Sequence, residues 1–130
     1  LGIVFVDYLQ LCKSGIQQGR NGNREQEVGE VARALHALAK DFSIPVVALA
    51  QLSRGCESRE NKRPMMSDIR ESGWIENEAD AIIGMYRDGY YNKGSDEPNV
   101  VELIILKSKE GARGTVKVRF IPEYMRFEDM

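Results

Sequence analysis

The sequence predicts an α/β fold in which a parallel sheet is followed by a C-terminal antiparallel hairpin. Two short apolar runs, at residues 3–6 and 46–50, flank an amphipathic stretch at 24–42. Strand, helix and strand in this order are typical of a right-handed crossover, which joins parallel strands. Further on, apolar runs at 100–106 and 115–121 are separated by a short turn that contains glycine, the pattern of an antiparallel hairpin.

The first predicted strand runs directly into an acid, Asp7. A continuous apolar run is typical of a strand buried on both faces, and open α/β sheets bind ligands at the carboxyl ends of such strands. An aspartate there has the chemistry of a Walker-B residue, which holds Mg²⁺ beside the phosphates of a nucleotide. The alternative interpretation is an acid that only begins a turn, because this pattern alone has many chance matches.

The stretch at 24–42 predicts a one-sided amphipathic helix. Its apolar residues recur at i, i+3 and i+4, and Asn23 is placed to cap the first turn. His36 falls off the apolar stripe, so we expect a solvated surface residue and a poor candidate for catalysis.

The second predicted strand follows Pro45, and Gln51 leaves it at the edge where Asp7 leaves the first strand. The two polar groups are therefore expected to converge on one crevice. Beyond them, a basic segment at 52–67 is expected to be a solvated loop, and a third strand is predicted at 79–86. The tail at 123–130 is expected to pack back onto the sheet.

The composition and charge of the chain limit the classes of function that the sequence allows. The 130 residues are 42% apolar and 29% charged with a net charge of −2, which gives no global electrostatic argument for nucleic acid. No apolar run approaches the roughly 20 residues of a membrane span. Cys12 and Cys56 lack metal-ligand spacing and are interpreted as free thiols in a reducing, cytoplasmic compartment, with a disulfide as the alternative. The chain begins with Leu almost inside a strand, which we interpret as the start of a fragment.

Four stretches resemble, in order and spacing, the DnaB-type bacterial replicative helicases. They are Val-Asp-Tyr-Leu-Gln-Leu at 6–11, Ala-Gln-Leu-Ser-Arg at 50–54, Arg-Pro-Met-Met-Ser-Asp-Ile-Arg-Glu-Ser-Gly at 63–73 and Gly-Thr-Val at 114–116. The third is the most specific. The resemblance covers residues 1–130 and implies the C-terminal portion of a RecA-like P-loop NTPase motor domain.

The resemblance implies a nucleotide site that uses ATP and Mg²⁺ in the intact protein. Asp7 matches the Walker-B aspartate, which binds Mg²⁺ through water. Gln51 matches the glutamine that senses the γ-phosphate and couples hydrolysis to the DNA-binding loops. Lys107 and Lys109 match the position that reaches the ATP site of the neighbouring subunit. The family usually has an arginine finger at the position of Lys109, so this sequence departs from the family pattern there. A lysine ammonium is a point charge and cannot form the two parallel hydrogen bonds of an arginine guanidinium.

The resemblance also implies partners. Arg70, Glu71 and Gly73 match the loop that holds single-stranded DNA along its backbone in the channel of a homo-hexamer. A primase and a helicase loader are further partners that it implies, and no membrane is expected.

No phosphate-binding G-x-x-x-x-G-K-[ST] motif occurs in the sequence, so this chain alone is predicted to lack ATPase activity. In RecA-like sheets the strand before that motif lies between those at 46–50 and 79–86. We therefore expect an open sheet edge, with dimerisation, domain swapping or a rearranged sheet as its consequence.

Two other functions stay open at this point. The pair Lys107 and Lys109 favours a RecA/RadA-like recombinase, which pairs strands without unwinding them, although the stretch at 63–73 opposes it. A non-catalytic interaction module on the same fold would explain the missing phosphate-binding loop. Without the family, the two lysines would be ordinary edge-strand residues that discourage aggregation.

Overall fold

The computed structural model describes residues 1–13, 23–70 and 72–130. The elements are β1 (Val4–Val6), α1 (Arg24–Phe42), β2 (Val46–Ala48), α2 (Ser72–Glu78), β3 (Ala81–Tyr86), α3 (Asp88–Tyr91), β4 (Val100–Ser108), β5 (Gly114–Ile121) and β6 (Arg126–Asp129). Short 3-10 helices lie at Leu9–Leu11, Arg54–Ser58, Met66–Asp68 and Pro122–Tyr124. The described strands form two separate sheets, β1–β2 and β3–β4–β5–β6.

The chain divides into two compact units. The N-terminal unit comprises Leu1–Arg54 and Met66–Ala79. The C-terminal unit comprises Gly55–Met65 and Asp80–Met130. Each unit has a sheet of its own, so the predicted parallel and antiparallel parts fall in different units.

The parallel pairing predicted for the first two strands is confirmed. Val4 lies opposite Val46, and Val6 lies opposite Ala48. The expectation that these strands are buried on both faces is wrong for the described residues, because Phe5 is 69% exposed. Phe5 alternates with the half-buried Val4 and Val6, so one face of β1 is more exposed than the other.

The predicted amphipathic helix is confirmed as α1. The Asn23 side chain accepts a hydrogen bond from the Glu25 backbone N–H at 3.2 Å, as an N-cap does. At the other end Ser43 adopts the left-handed conformation (φ 51°), and its N–H donates to the Ala39 and Lys40 carbonyls. Val28 and Val31 are the buried apolar anchors of this helix.

Helix α2 packs across α1 through a close approach at Gly29. A Cβ placed on Gly29 would lie 2.5 Å from Trp74 Cγ, so the indole occupies the space that any larger residue needs. The Arg33 guanidinium lies 4.9 Å from the centre of the same ring. The absent side chain at Gly29 therefore sets how closely the two helices approach.

The expectation that His36 is a solvated surface residue is wrong. Its Nδ1 lies 2.6 Å from the Glu78 carbonyl oxygen, and its side chain is only 18% exposed. The imidazole therefore hydrogen-bonds a carbonyl at the C-terminal end of α2, where the last backbone carbonyls of a helix have no partner within the helix.

The antiparallel part of the fold is larger than the predicted hairpin. β3 pairs with β4 and β4 with β5, and the tail forms β6 along β5, so all neighbouring strands are antiparallel. Along β3 the side chains alternate strictly between exposed and buried, as in a sheet with one covered face. The expectation that the tail packs back onto the sheet is confirmed, since β6 joins the sheet through main-chain pairing.

The basic loop at 55–65 is fastened to this antiparallel sheet. Arg63 makes two hydrogen bonds to the Glu102 carboxylate, at 2.7 and 2.6 Å, and stacks 4.6 Å from the Tyr86 ring centre. The bidentate geometry is the strong form of an Arg–carboxylate pair. Hydrogen bonding from Arg63 lowers the pKa of Glu102.

Two further expectations concern the whole chain. Cys12 and Cys56 are free thiols, as interpreted from the sequence. Within the part of the chain that the structure describes, no helix combines the length and apolarity needed to cross a membrane. The expected dimerisation is not tested by this structure and stays a prediction.

We expect Gly29→Ala to destabilise the purified chain by about 1–3 kcal/mol, because the added methyl group collides with Trp74. Helix propensity alone would favour alanine by about 0.5–1 kcal/mol. We expect a net loss of stability because the cost of the collision is larger than this gain. Chemical denaturation measures the difference. Gly73→Ala is the matched control, since a Cβ there would meet only Glu25 Oε1 at 3.9 Å. Equal effects of the two substitutions would contradict the packing argument.

We expect the bond between Arg63 and Glu102 to make stability depend on pH. The folded-state pKa of Glu102 lies below its unfolded value, so its stabilisation is complete above the unfolded pKa and is lost as pH falls through the folded one. Glu102→Gln should lower the free energy of unfolding by about 1–2 kcal/mol at pH 7 and by much less at pH 3. Urea titrations at both pH values measure this. Glu97→Gln, which breaks the more exposed pair with Lys117, is the control. An unchanged difference at pH 3 would refute the assignment.

Candidate functional site

The carboxyl edge of the parallel sheet carries Asp7 and Gln51. Because β1 and β2 are parallel and in register, both chains leave the sheet at the same edge. The main-chain ladder continues beyond the strands, with Leu49 N–H donating to Val6 O at 2.9 Å and Leu9 N–H donating to Leu49 O at 2.8 Å. The Asp7–Tyr8 peptide bond is cis. Asp7 and Gln51 are both exposed at this edge and available to a ligand.

Gln10 fixes the backbone of Gln51. Its Nε2 donates to the Gln51 carbonyl at 3.2 Å, and its Oε1 accepts from the Gln51 N–H at 3.0 Å. Sequence reasoning gave Gln10 no role, although it stands in the Asp-Tyr-Leu-Gln stretch. The two residues are 41 positions apart, and no local periodicity encodes such a contact.

The segment after Gln51 is paired with the segment before Arg70. Leu52 forms an antiparallel bridge with Ile69, and the Ser53 N–H donates to the Asp68 carbonyl at 2.7 Å. Arg70 follows this bridge directly and is exposed. The structure therefore connects the Gln51 edge to the Arg70 turn through main-chain hydrogen bonds.

Glu71 and Gly73, the other two residues of the predicted DNA-binding loop, are placed differently from Arg70. Glu71 lies outside the described residues. Gly73 lies inside the first turn of α2. A Cβ at Gly73 would meet almost nothing, which leaves open space beside the backbone at this position.

Lys107 and Lys109 lie at the end of β4 in the C-terminal unit. Lys107 is opposite Ile82 and is half-buried. The Lys109 N–H donates to the Asp80 carbonyl at 2.9 Å, and its Nζ lies 2.8 Å from Asp80 Oδ1. Sequence reasoning missed Asp80, which stands one residue before β3 and faces the end of β4. The lysine side chain is 41% exposed and that of Asp80 77%, so solvent screens this pair.

The predicted residues thus fall into two groups. Asp7, Gln51 and Arg70 belong to the N-terminal unit, and the two lysines belong to the C-terminal unit. In the described part of the chain, no cluster of three or more His, Cys, Asp or Glu side chains could hold a metal ion. A cation at Asp7 would therefore take most of its ligands from water and from a bound anion, as Mg²⁺ commonly does.

An open cavity of about 280 Å³ lies beside the antiparallel sheet. Aromatic packing shapes it, since Tyr91 stacks on Tyr86 at 5.8 Å and meets Tyr90 edge-on at 4.9 Å. Burial raises the pKa of the Tyr91 phenol. Arg87, 5.1 Å from the ring centre of Phe120, supplies the positive charge of the lining. None of the described lining residues is acidic, so this cavity offers no carboxylate to a metal ion.

Comparison with known proteins gives a consistent result. The family model described as DnaB-like helicase C terminal domain matches residues 1–129. The chain is 52% identical over its whole length to the replicative DNA helicase DnaB of Geobacillus stearothermophilus and 49% identical to the replicative DNA helicase DnaC of Bacillus subtilis strain 168. It spans 28% of the length of each of these curated relatives.

Solved structures agree with the sequence matches. One structure, described as an ATPase domain, superposes with a TM-score of 0.91 at 44% identity, covering 98% of this chain and 44% of that one. A DnaB-like replicative helicase, described together with its interactions with primase, superposes with a TM-score of 0.90 at the same identity, covering 98% of this chain and 31% of its own.

Proposed function

Because this chain belongs to the family of DnaB-like helicase C-terminal domains, we propose that it forms part of the motor of an ATP-dependent, ring-shaped DNA helicase that unwinds duplex at the replication fork. The observation that carries the proposal is the parallel pairing of β1 with β2, which leaves Asp7 and Gln51 exposed at one edge of the sheet. A carboxylate and an amide at that edge suit a Mg²⁺–nucleotide complex, whereas neither is required for packing.

The nucleotide roles follow from chemistry and from the family. Asp7 would bind Mg²⁺ through water, and the Gln51 amide would hydrogen-bond the γ-phosphate. Among the described residues Asp7 belongs to no cluster of three or more potential metal ligands. A single exposed carboxylate fits Mg²⁺, which usually takes one or two carboxylates together with water and phosphate oxygens. When bound, ATP and Mg²⁺ supply the phosphoryl group and neutralise the charge that develops on its oxygens.

The DNA-binding role is assigned to Arg70, Glu71 and Gly73. Arg70 is an exposed cation at the end of a hydrogen-bonded segment, which suits contact with a phosphate of single-stranded DNA. The open space at Gly73 would let a DNA backbone approach the protein main chain. Such contacts hold the strand without reading its bases.

Lys107 and Lys109 are proposed to complete the ATP site of a neighbouring subunit in a homo-hexamer. Lys109 is paired with Asp80 in this chain, so the proposal requires that this pair be easy to break. Ion pairs between exposed side chains contribute only about 0.2–1 kcal/mol, which is far less than a desolvated phosphate contact offers. Asp80 therefore does not prevent Lys109 from reaching a phosphate.

The proposed assembly includes other proteins. A structural relative is described with primase, and a primase and a loader are the partners that a replicative helicase of this family would meet. A RecA/RadA-like recombinase remains the second candidate, because the pair Lys107 and Lys109 departs from the arginine-finger pattern.

The full-length protein that contains this chain should displace a strand from forked duplex DNA in the presence of ATP and Mg²⁺. Arg70→Ala should weaken its binding of single-stranded DNA on every sequence and reduce the slope of log affinity against log salt by about 0.7, since one phosphate contact is lost. Gel-based unwinding and fluorescence anisotropy measure these effects. Strand exchange without unwinding would favour the recombinase instead.

Lys109→Ala should lower kcat for ATP hydrolysis by the full-length assembly about 10²-fold or more, because a cation at the developing phosphate charge is lost. Lys109→Arg should retain activity, since its guanidinium keeps the charge and adds a bidentate fork. Lys117→Ala is the matched control, because Lys117 lies on β5 of the same sheet, has a similarly exposed side chain and forms a comparable ion pair with Glu97. If Lys109→Ala hydrolyses ATP at the wild-type rate, the proposed role of Lys109 is wrong.

A further inference from the structure

We propose that Gln10 is a positioning residue for Gln51, and that its two hydrogen bonds to the Gln51 main chain are required for the coupling between nucleotide and DNA that the family resemblance implies for Gln51. The coupling would follow a hydrogen-bonded connection from Gln51 through the Leu52–Ile69 bridge to Arg70. The inference rests on the proposed function, because it assigns that connection to the communication between nucleotide and DNA. Gln10 itself touches neither ligand in this assignment. It acts through the backbone of Gln51.

The first step of the connection is the amide of Gln10. A primary amide carries both a donor and an acceptor, and here it uses each on the same residue, the main chain of Gln51. It thereby adds a connection between the two segments beyond the last main-chain hydrogen bond, which runs from the Leu9 N–H to the Leu49 carbonyl. The pairing of the two segments is extended to Gln51, the residue whose side chain is proposed to contact the γ-phosphate.

Glutamine is the residue type that this geometry needs. Glutamate would accept from the Gln51 N–H but would place an anionic oxygen against the Gln51 carbonyl. Asparagine has both groups but is one methylene shorter, so it cannot span 3.0 and 3.2 Å from the same backbone position. Methionine has a similar length and neither a strong donor nor a strong acceptor.

The second step leads from Gln51 to Arg70. Leu52 follows Gln51 directly, and Arg70 follows Ile69 directly, so no flexible residue separates either one from the bridge. Asp68 and Ile69 are 4% and 6% exposed, and the Ser53–Asp68 hydrogen bond is short at 2.7 Å. A well-packed pair of segments transmits a displacement of the Gln51 backbone to Arg70, because packed protein interiors resist deformation.

The test uses the full-length helicase with Gln10→Met and, as a second variant, Gln10→Asn. Single-stranded DNA affinity is measured with a non-hydrolysable ATP analogue and with ADP, and the ratio of the two affinities reports the coupling. Coupled sites commonly show ratios of about 5–150. Both variants should reduce the wild-type ratio to below about twofold. Gln26→Met, on the exposed side of α1, should leave it unchanged.

Hydrogen exchange supplies the second readout. The peptide that contains the Gln51 N–H should exchange faster in Gln10→Met, whereas the Leu49 N–H, which is bonded to Val6, should keep its protection. A merely structural role would lower the melting temperature without changing the affinity ratio. Unchanged coupling in both variants overturns the proposal, as does unchanged exchange at Gln51.

The inference and the proposed function fail in different ways. If the wild-type protein neither hydrolyses ATP nor unwinds DNA, the proposed function is wrong, and exchange at Gln51 still decides whether Gln10 holds that segment. If the wild type unwinds DNA and both Gln10 variants retain full coupling, only the assignment to Gln10 is wrong.

Discussion

The parallel pairing of β1 with β2 is the constraint on which the candidate site depends. Three residue pairs in register direct both chains out of the sheet at one edge, and α1 is the crossover that makes this direction obligatory. The cap at Asn23 and the left-handed turn at Ser43 fix where that crossover begins and ends. If the register changed by one residue, Asp7 and Gln51 would no longer flank the same space.

The cations proposed to contact phosphate lie outside the most basic stretch of the sequence. Arg63 lies in the most basic stretch of the sequence, yet its guanidinium is committed to Glu102 and to the ring of Tyr86. Arg70 and Lys109 lie outside that stretch and are the cations to which a phosphate contact is assigned. Clustering of basic residues does not by itself indicate a polyanion site here, because Arg59, Lys62 and Arg63 make hydrogen bonds within their own loop or to Glu102.

Much of the fold follows from local patterns, and most of what was missed depends on contacts distant in sequence. The period of α1, the Asn23 cap and the first two strands are all encoded within a few residues of where they occur. The contacts of Gln10 with Gln51, of His36 with Glu78 and of Lys109 with Asp80 join positions that are 41, 42 and 29 residues apart. No spacing rule reaches that far. The contact of Trp74 with Gly29 depends on the shapes of two helices in three dimensions. The sequence shows only a glycine inside an otherwise regular helix, and it does not indicate which residue packs against it.

The bridge between Leu52 and Ile69 is built from peptide groups. A side-chain substitution does not change which main-chain atoms are joined, although Ile69 is also buried and its side chain contributes to packing. Alanine substitution therefore leaves the donors and acceptors of the bridge in place. Only a change to the main chain itself, such as proline or an ester linkage in place of the Ser53 amide, would remove the donor that bonds to Asp68. The main-chain part of this connection is thus hidden from any survey that compares side chains alone.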